Sequence, residues 1–240
     1  MELLRGFIRQ LADKKGLLGF TINLLRYLRS KSLLEAYEYA WNSHGYDLIH
    51  RVDTSHVSVD SDIWSQGINS SDKEFAVDST PERISRCKTA FDEAAKYLKI
   101  ENTKLIDLGC GKGRVLLLSA RHDFKKRIGV ELSESVAQIC RSNLKAKNVK
   151  HEIIVGSMLD VQWENYISCD DQILIYAYNP TSVEILAKTI AKITSNVTNG
   201  KIVFIYTNPQ TKFHIEKSTK FNLLVEFHKL HIYELSDNNG

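Results

Sequence analysis

Leu105-Ile-Asp-Leu-Gly-Cys-Gly-Lys-Gly-Arg114 decides the fold. The apolar run Leu105, Ile106, Leu108 passes directly into Asp107-x-Gly109-x-Gly111-x-Gly113, which opens onto the apolar stretch Val115 to Leu118. A strand that enters a glycine turn and leaves as a helix is where a parallel sheet presents backbone amides to a ligand. Glycine is needed there because a tight turn uses positive φ and because a Cβ would hold the ligand off the backbone. In the dinucleotide fingerprint G-x-G-x-x-G the third glycine would stand at position 114, where this chain has Arg114.

Around this loop, short apolar runs alternate with helical spacing. Lys104 to Leu108, Arg127 to Glu131 and His151 to Val155 predict strands, with helices over Arg114 to Arg121 and Glu134 to Lys147 between them. The rhythm continues with a strand over Gln172 to Tyr178, a helix over Ser182 to Thr194 and a strand over Lys201 to Tyr206. Strands apolar on both faces belong to a buried parallel sheet. The fold class is therefore α/β, a Rossmann-like, doubly wound and mostly parallel sheet. Phe221 to Glu226 and His231 to Leu235 are close enough in sequence to end it as an antiparallel hairpin at the sheet edge. Upstream, Thr80 reads as the cap of a helix with Pro81 and Glu82 in its first turn and Ile84, Cys87, Phe91, Ala94 and Leu98 on one face.

The chain divides into a helical N-terminal extension (1–46), a polar loop or lid (47–78) and the main domain (79–240). In the extension Leu3, Leu4, Phe7, Ile8 and Leu11, then Leu18, Ile22, Leu25 and Leu28, recur at helical intervals among Arg5, Arg9, Lys14, Lys15, Arg26, Arg29 and Lys31. The favoured reading packs the apolar face on the core. The other is a weak contact of residues 1–31 with an anionic membrane surface.

Composition sets outer limits. With 240 residues, 43% hydrophobic and 25% charged, the chain can bury a self-sufficient core. A net charge of +3 and a pI of 8.5 lack the basic excess of a nucleic-acid binder, so no nucleic-acid partner is expected. Cys87, Cys110, Cys140 and Cys169 form no C-x-x-C pair, so neither a metal site nor a disulfide framework is indicated, and a reducing cytoplasm is the expected location. The uncharged run Gly16 to Leu25 is too short to span a bilayer and is followed by Arg26 and Arg29, unlike a secretory signal. Composition does not set the oligomeric state.

Glu131 closes the second strand, where a carboxylate can accept both ribose hydroxyls of a nucleoside. Ile106-Asp-Leu-Gly-Cys-Gly-Lys-Gly-Arg-Val115 together with Ile128-Gly-Val-Glu-Leu-Ser133 resembles the class I S-adenosylmethionine-dependent methyltransferases. More narrowly it resembles a bacterial group carrying D-x-G-S-G-K-G-R and G-V-E-L-S, and more distantly the Dot1-like lysine methyltransferases. Val52-Asp53-Thr54-Ser55 resembles a Val-Asp-Thr-Ser-Gly element of that group, with His56 in place of its glycine. The resemblance implies S-adenosylmethionine as cofactor, held by Asp107, Gly109, Cys110, Gly111, Gly113, Glu131 and Leu132. Ser157 and Met158 would flank the adenine, Ser157 standing where such enzymes usually carry an acid, with Asp160 as a substitute. At the end of the fourth strand Tyr178-Asn179-Pro180 would line the methyl-transfer site as its catalytic residues.

Thr207-Asn208-Pro209 repeats the Asn-Pro turn after the fifth strand, so Asn179-Pro180 also reads as a turn capping the next helix. Should the acceptor need a base, Tyr178, His56 and Asp53 are the nearest, each more readily explained as structural. Lys112 and Arg114 read either as outward cations for an acidic substrate or as cations that are solvated or paired with nearby carboxylates. The expected function is methyl transfer to an unidentified acceptor, a small molecule, glycan or protein amino or hydroxyl group. The alternatives are a catalytically silent S-adenosylmethionine-binding partner protein and, less favoured by Arg114, an NAD-dependent oxidoreductase.

Overall fold

The computed structural model describes residues 28–29, 33–55, 57–58, 78–79, 82–178, 181–209 and 221–235. Its frame is a seven-stranded sheet. In chain order the strands are β1 (Thr103–Leu108), β2 (Lys126–Glu131), β3 (Glu152–Val155), β4 (Gln172–Tyr178), β5 (Lys201–Thr207), β6 (Phe221–Phe227) and β7 (Leu230–Leu235). They lie in the order β3-β2-β1-β4-β5-β7-β6. The first five are parallel, and β7 runs antiparallel to β5 and pairs with β6 as the edge hairpin. The reversal of strand order falls at β1, so the crevice between the carboxyl ends of β1 and β4 is the expected ligand position.

Alternation along the strands divides the core between the two faces. Leu105, Leu174, Tyr176, Val203 and Ile205 share one face with Cys87, Phe91 and Leu116. Ile106, Leu108, Ile128, Ile173, Ile175 and Phe204 share the other with Trp163, Leu186, Ile190 and Ile193. Phe91, 0% exposed, meets the rings of Tyr176 and Phe124 at centroid distances of 5.6 and 5.8 Å. Truncating such a side chain costs about 3–5 kcal/mol.

The helices that bear on the site are α1 (Leu33–Ala40), α2 (Tyr46–His50), α3 (Ile84–Ala94), α4 (Arg114–Leu118), α5 (Glu134–Ala146) and α6 (Val183–Ser195). A π-helical turn, Trp41–Gly45, joins α1 to α2. Helical structure thus continues past position 46 to His50 and ends at Arg51 in the left-handed region. The polar stretch expected from 47 therefore starts inside a helix, and Asp47, Thr54 and Ser55 are buried. Val57–Ser58 and Asp78–Ser79 form a two-residue antiparallel ladder. α3 begins at Ile84, with no side-chain cap at Arg83. Glu82, expected in its first turn, precedes the helix and is buried instead, because Arg86 reaches back to it and two strand hydroxyls meet it from the sheet. Thr80, Pro81 and nearly all of residues 1–31 lie outside the described residues, so the expected cap and membrane contact fall there. Among the described residues no helix is long and apolar enough to cross a membrane.

Candidate active site

Past Leu108 the chain turns through three glycines with positive φ, Gly109 at 75°, Gly111 at 52° and Gly113 at 86°. The amides of Gly109 and Cys110 both donate to the carbonyl of Val130 at 2.9 Å, which fastens the loop to the end of β2. A Cβ on Gly113 would stand 2.7 Å from Cys140 Sγ, so this glycine lets α5 pack against the loop. A Cβ on Gly111 would meet nothing within 4 Å. Gly111 therefore faces open space, and its backbone is accessible to a ligand. Cys110 lines the loop with a buried thiol held well above its usual range by a hydrogen bond with Cys140 and by burial.

Two carboxylates belong to the strand ends that carry this loop. Glu131 Oε2 accepts from the Gly111 amide at 2.9 Å, and Oε1 accepts from the Ser133 amide at 3.0 Å. Burial raises the Glu131 pKa against the opposing pull of the Ser133, Gly111 and Leu132 amides. Asp107, 2% exposed, has an Oδ2 with no hydrogen-bond partner. Burial holds its carboxyl well above the ordinary range, and the charges of Glu131 and Glu82 push the same way. A buried carboxylate oxygen without a donor is expensive. It fits a ligand that brings a cation or N–H group.

The basic residues of the loop point elsewhere. Lys112, 8% exposed, pairs with Asp53 at 2.8 Å, and Arg114, 4% exposed, donates to Thr54 Oγ1 at 2.7 Å and lies 3.4 Å from Asp47. Of the expected readings, outward cations for an acidic substrate, solvated cations or partners of carboxylates, the last describes them. Asp47 also accepts from the Thr54 and Ser55 amides at 2.7 and 2.6 Å, so residues 47–55 wrap against the loop. Asn143 on α5 joins in, donating to the carbonyls of Asp53 at 2.6 Å and Lys112 at 2.9 Å. Asp53, considered as a base, is committed to Lys112. His56 lies outside the described residues.

The turn after β3 joins the crevice through Gly156, whose amide donates to the Glu131 carbonyl at 2.9 Å. Ser157 Oγ accepts from the Leu159 amide at 3.3 Å, Met158 packs against the core, and Asp160 is exposed. At the far side Tyr178 ends β4 half-buried, with the Arg86 guanidinium 5.4 Å from its ring centroid. Asn179 and Pro180 lie outside the described residues. The cap of α6 is Ser182, whose Oγ accepts from the Ile185 amide at 3.3 Å. Asn208 is left-handed at φ 51° and donates its amide to the Lys229 carbonyl at 2.8 Å, so it is a strand-end turn.

The family model described as a methyltransferase domain matches residues 105–200. Residues 105–200 of this chain thus carry a methyltransferase domain. Solved structures similar to it include a protein of Pyrococcus horikoshii OT3 (18% identity over 63% of this chain and 91% of that one, TM-score 0.49). An RNA methyltransferase from Salinibacter ruber in complex with S-adenosyl-L-homocysteine is 16% identical over 64% of this chain and 93% of its own, TM-score 0.48. A ribosomal protein L11 methylase from Lactobacillus delbrueckii subsp. bulgaricus is 16% identical over 64% and 78%, TM-score 0.48.

For a methyltransferase the charge pattern has a plain sense. A pyrophosphate at this loop would face Asp107 and Glu131 with Lys112 and Arg114 already engaged, whereas the sulfonium and ammonium of S-adenosylmethionine are cations. Sequence reasoning missed Asp47, Glu82 and Asn143. Their long-range partners are Arg114, Tyr176, Thr207, Asp53 and Lys112, and no local spacing links them to the loop.

Proposed function

We propose that the methyltransferase holds S-adenosylmethionine over the open side of Gly111, with Asp107, Gly109, Cys110, Gly113, Glu131 and Leu132 forming the cradle, and Ser157 and Met158 beside the adenine. The observations that carry this are the unpartnered Oδ2 of Asp107 at the end of the strand and the empty Cβ position of Gly111 in the loop that follows it. Asp107 supplies a carboxylate for the ammonium, and Glu131, now bound to the Gly111 and Ser133 amides, is placed to accept the ribose hydroxyls. When bound, S-adenosylmethionine supplies an electrophilic methyl group on a sulfonium.

The acceptor enters at the carboxyl end of β4, where Tyr178, Asn179 and Pro180 line the reaction end. Such a transfer depends chiefly on in-line placement with water excluded. No buried histidine–carboxylate pair is needed. The acceptor class is a small molecule, glycan or protein carrying an amino or hydroxyl group, which loses its proton as the new bond to carbon forms. Of the extension (1–46) and the polar segment (47–78), the described residues 42–55 form a wall beside the glycine loop. The buried contacts of Asp47, Thr54 and Ser55 support that role.

Two measurements test the reading. Calorimetry should show binding of S-adenosylmethionine and S-adenosylhomocysteine and none of NAD. Tritiated methyl groups should then pass into one of the protein, lipid, glycan or small-molecule fractions of a host lysate. Binding without transfer to any fraction would favour a silent partner protein.

A further inference from the structure

Three side chains converge on one buried carboxylate outside the cofactor loop. Glu82, 2% exposed, accepts at Oε1 from Arg86 Nε at 2.8 Å and lies 2.6 Å from Arg86 Nη2. Its Oε2 accepts from the Tyr176 hydroxyl at 3.2 Å and, more closely, from the Thr207 hydroxyl. Tyr176 belongs to β4 and Thr207 ends β5, so one carboxylate links the strands whose carboxyl ends border the reaction end. Arg86 in turn lies over the ring of Tyr178. The Glu82 carbonyl also accepts from Arg114 Nη1 at 3.4 Å, tying the same residue to the exit of the glycine loop.

Sealing an ion pair from water costs desolvation, and apolar residues of similar volume would hold α3 as firmly. What the ionic version adds is direction. A guanidinium is a rigid plane, and a carboxylate gripping two of its nitrogens fixes that plane. The plane then fixes the aromatic ring stacked against it.

We infer that Glu82 is a positioning residue for methyl transfer, which through Arg86 orients the Tyr178 ring at the acceptor mouth and through Tyr176 and Thr207 sets the spacing of the β4 and β5 ends. This rests on the acceptor entering at the end of β4.

The test uses Glu82→Gln, Arg86→Gln, the double variant and Arg86→Lys in the full chain. Glutamine keeps the shape of Glu82 and its hydrogen bonds to both hydroxyls while releasing Arg86. Two readouts are taken per folded molecule: tritiated methyl transfer from S-adenosylmethionine into a lysate of cells lacking the gene, and the fluorine resonance of Tyr178 in 3-fluorotyrosine protein, identified by its loss in Tyr178→Phe. S-adenosylmethionine affinity should stay within a few-fold while transfer falls about 10- to 100-fold, the scale of a misplaced reactant. The Tyr178 resonance should move alike in both single variants, the double variant should be no worse than either, and Arg86→Lys should recover part of the activity. Wild-type transfer in Glu82→Gln, losses that track cofactor affinity or folded fraction, or additive losses in the double variant would each overturn the inference. If the wild type labels nothing, the acceptor reading fails separately. An unmoved Tyr178 resonance would then overturn this one by itself.

Discussion

Replacing Asp107 by asparagine should move stability and cofactor affinity in different directions. In the ligand-free protein the carboxyl group is buried, its Oδ2 has no partner, and burial, Glu131 and Glu82 all oppose its ionisation. An amide of the same shape carries none of that charge, so the free variant should be as stable as wild type or more stable by up to about 1 kcal/mol. With S-adenosylmethionine bound the carboxylate meets a cation, and a hydrogen bond to a charged group contributes about 1.5–3 kcal/mol. At about 1.4 kcal/mol per factor of ten, Kd should rise about 10- to 100-fold. Calorimetry and urea melts on the same preparation measure both. Wild-type affinity in the variant would refute the placement of the ligand cation, and a large loss of stability without ligand would show that Asp107 holds a structural hydrogen bond.

The same group makes binding pH-dependent: its folded pKa lies well above the ordinary 3.8, and the ligand cation needs the ionised form, so affinity should be full above the raised pKa and fall as pH drops through it, with Asp107→Asn flattening the profile in calorimetry. Stability of the free protein runs the other way, since the folded state keeps a proton the unfolded chain releases; this contribution is full below 3.8 and lost as pH rises through the folded pKa, as urea melts at stepped pH would show. Gly111→Ala should fold at a cost of about 1–2 kcal/mol for a left-handed alanine yet bind S-adenosylmethionine poorly in calorimetry, whereas Gly113→Ala should melt earlier because its Cβ would meet Cys140 Sγ. Arg114→Met leaves Asp47 buried without its cation and should cost about 3–5 kcal/mol, seen as a lowered urea midpoint with new proteolytic cleavage around residues 42–55. Asn179→Ala should lower methyl transfer about 100-fold with cofactor binding nearly unchanged, because Ser182 caps α6; a normal transfer rate would move the acceptor search to Asn208.

The sheet was legible because each of its signals is local. Ile106 and Ile128 advertise buried strands by their neighbours alone, and the three glycines announce a positive-φ turn within a few positions. Asp107 and Glu131 could be picked out because the loop fixes where strand-end carboxylates fall. Glu82 could not: in sequence it looks like an ordinary acid at a helix start, and only the tertiary fold brings Tyr176 and Thr207 to it. Asp47 is a similar case, since nothing near it in the chain says that Arg114 will bury it. Lys112 and Arg114 kept two readings open, because their charge is visible in the sequence but the direction of their side chains is not.

The contacts of Arg114 bear on where this protein could be cut. The stretch matched as a methyltransferase domain begins at 105, yet its Arg114 is neutralised by Asp47 and also donates to the Asn42 carbonyl. A gene trimmed to the matched stretch would encode an arginine with an interior built around it and the counter-ion removed. The homology border and the folding border of this protein are therefore different places. The smallest piece able to fold by itself has to start upstream of Asn42, and any domain fusion or swap that joins at 105 separates the cofactor loop from the segment that neutralises it.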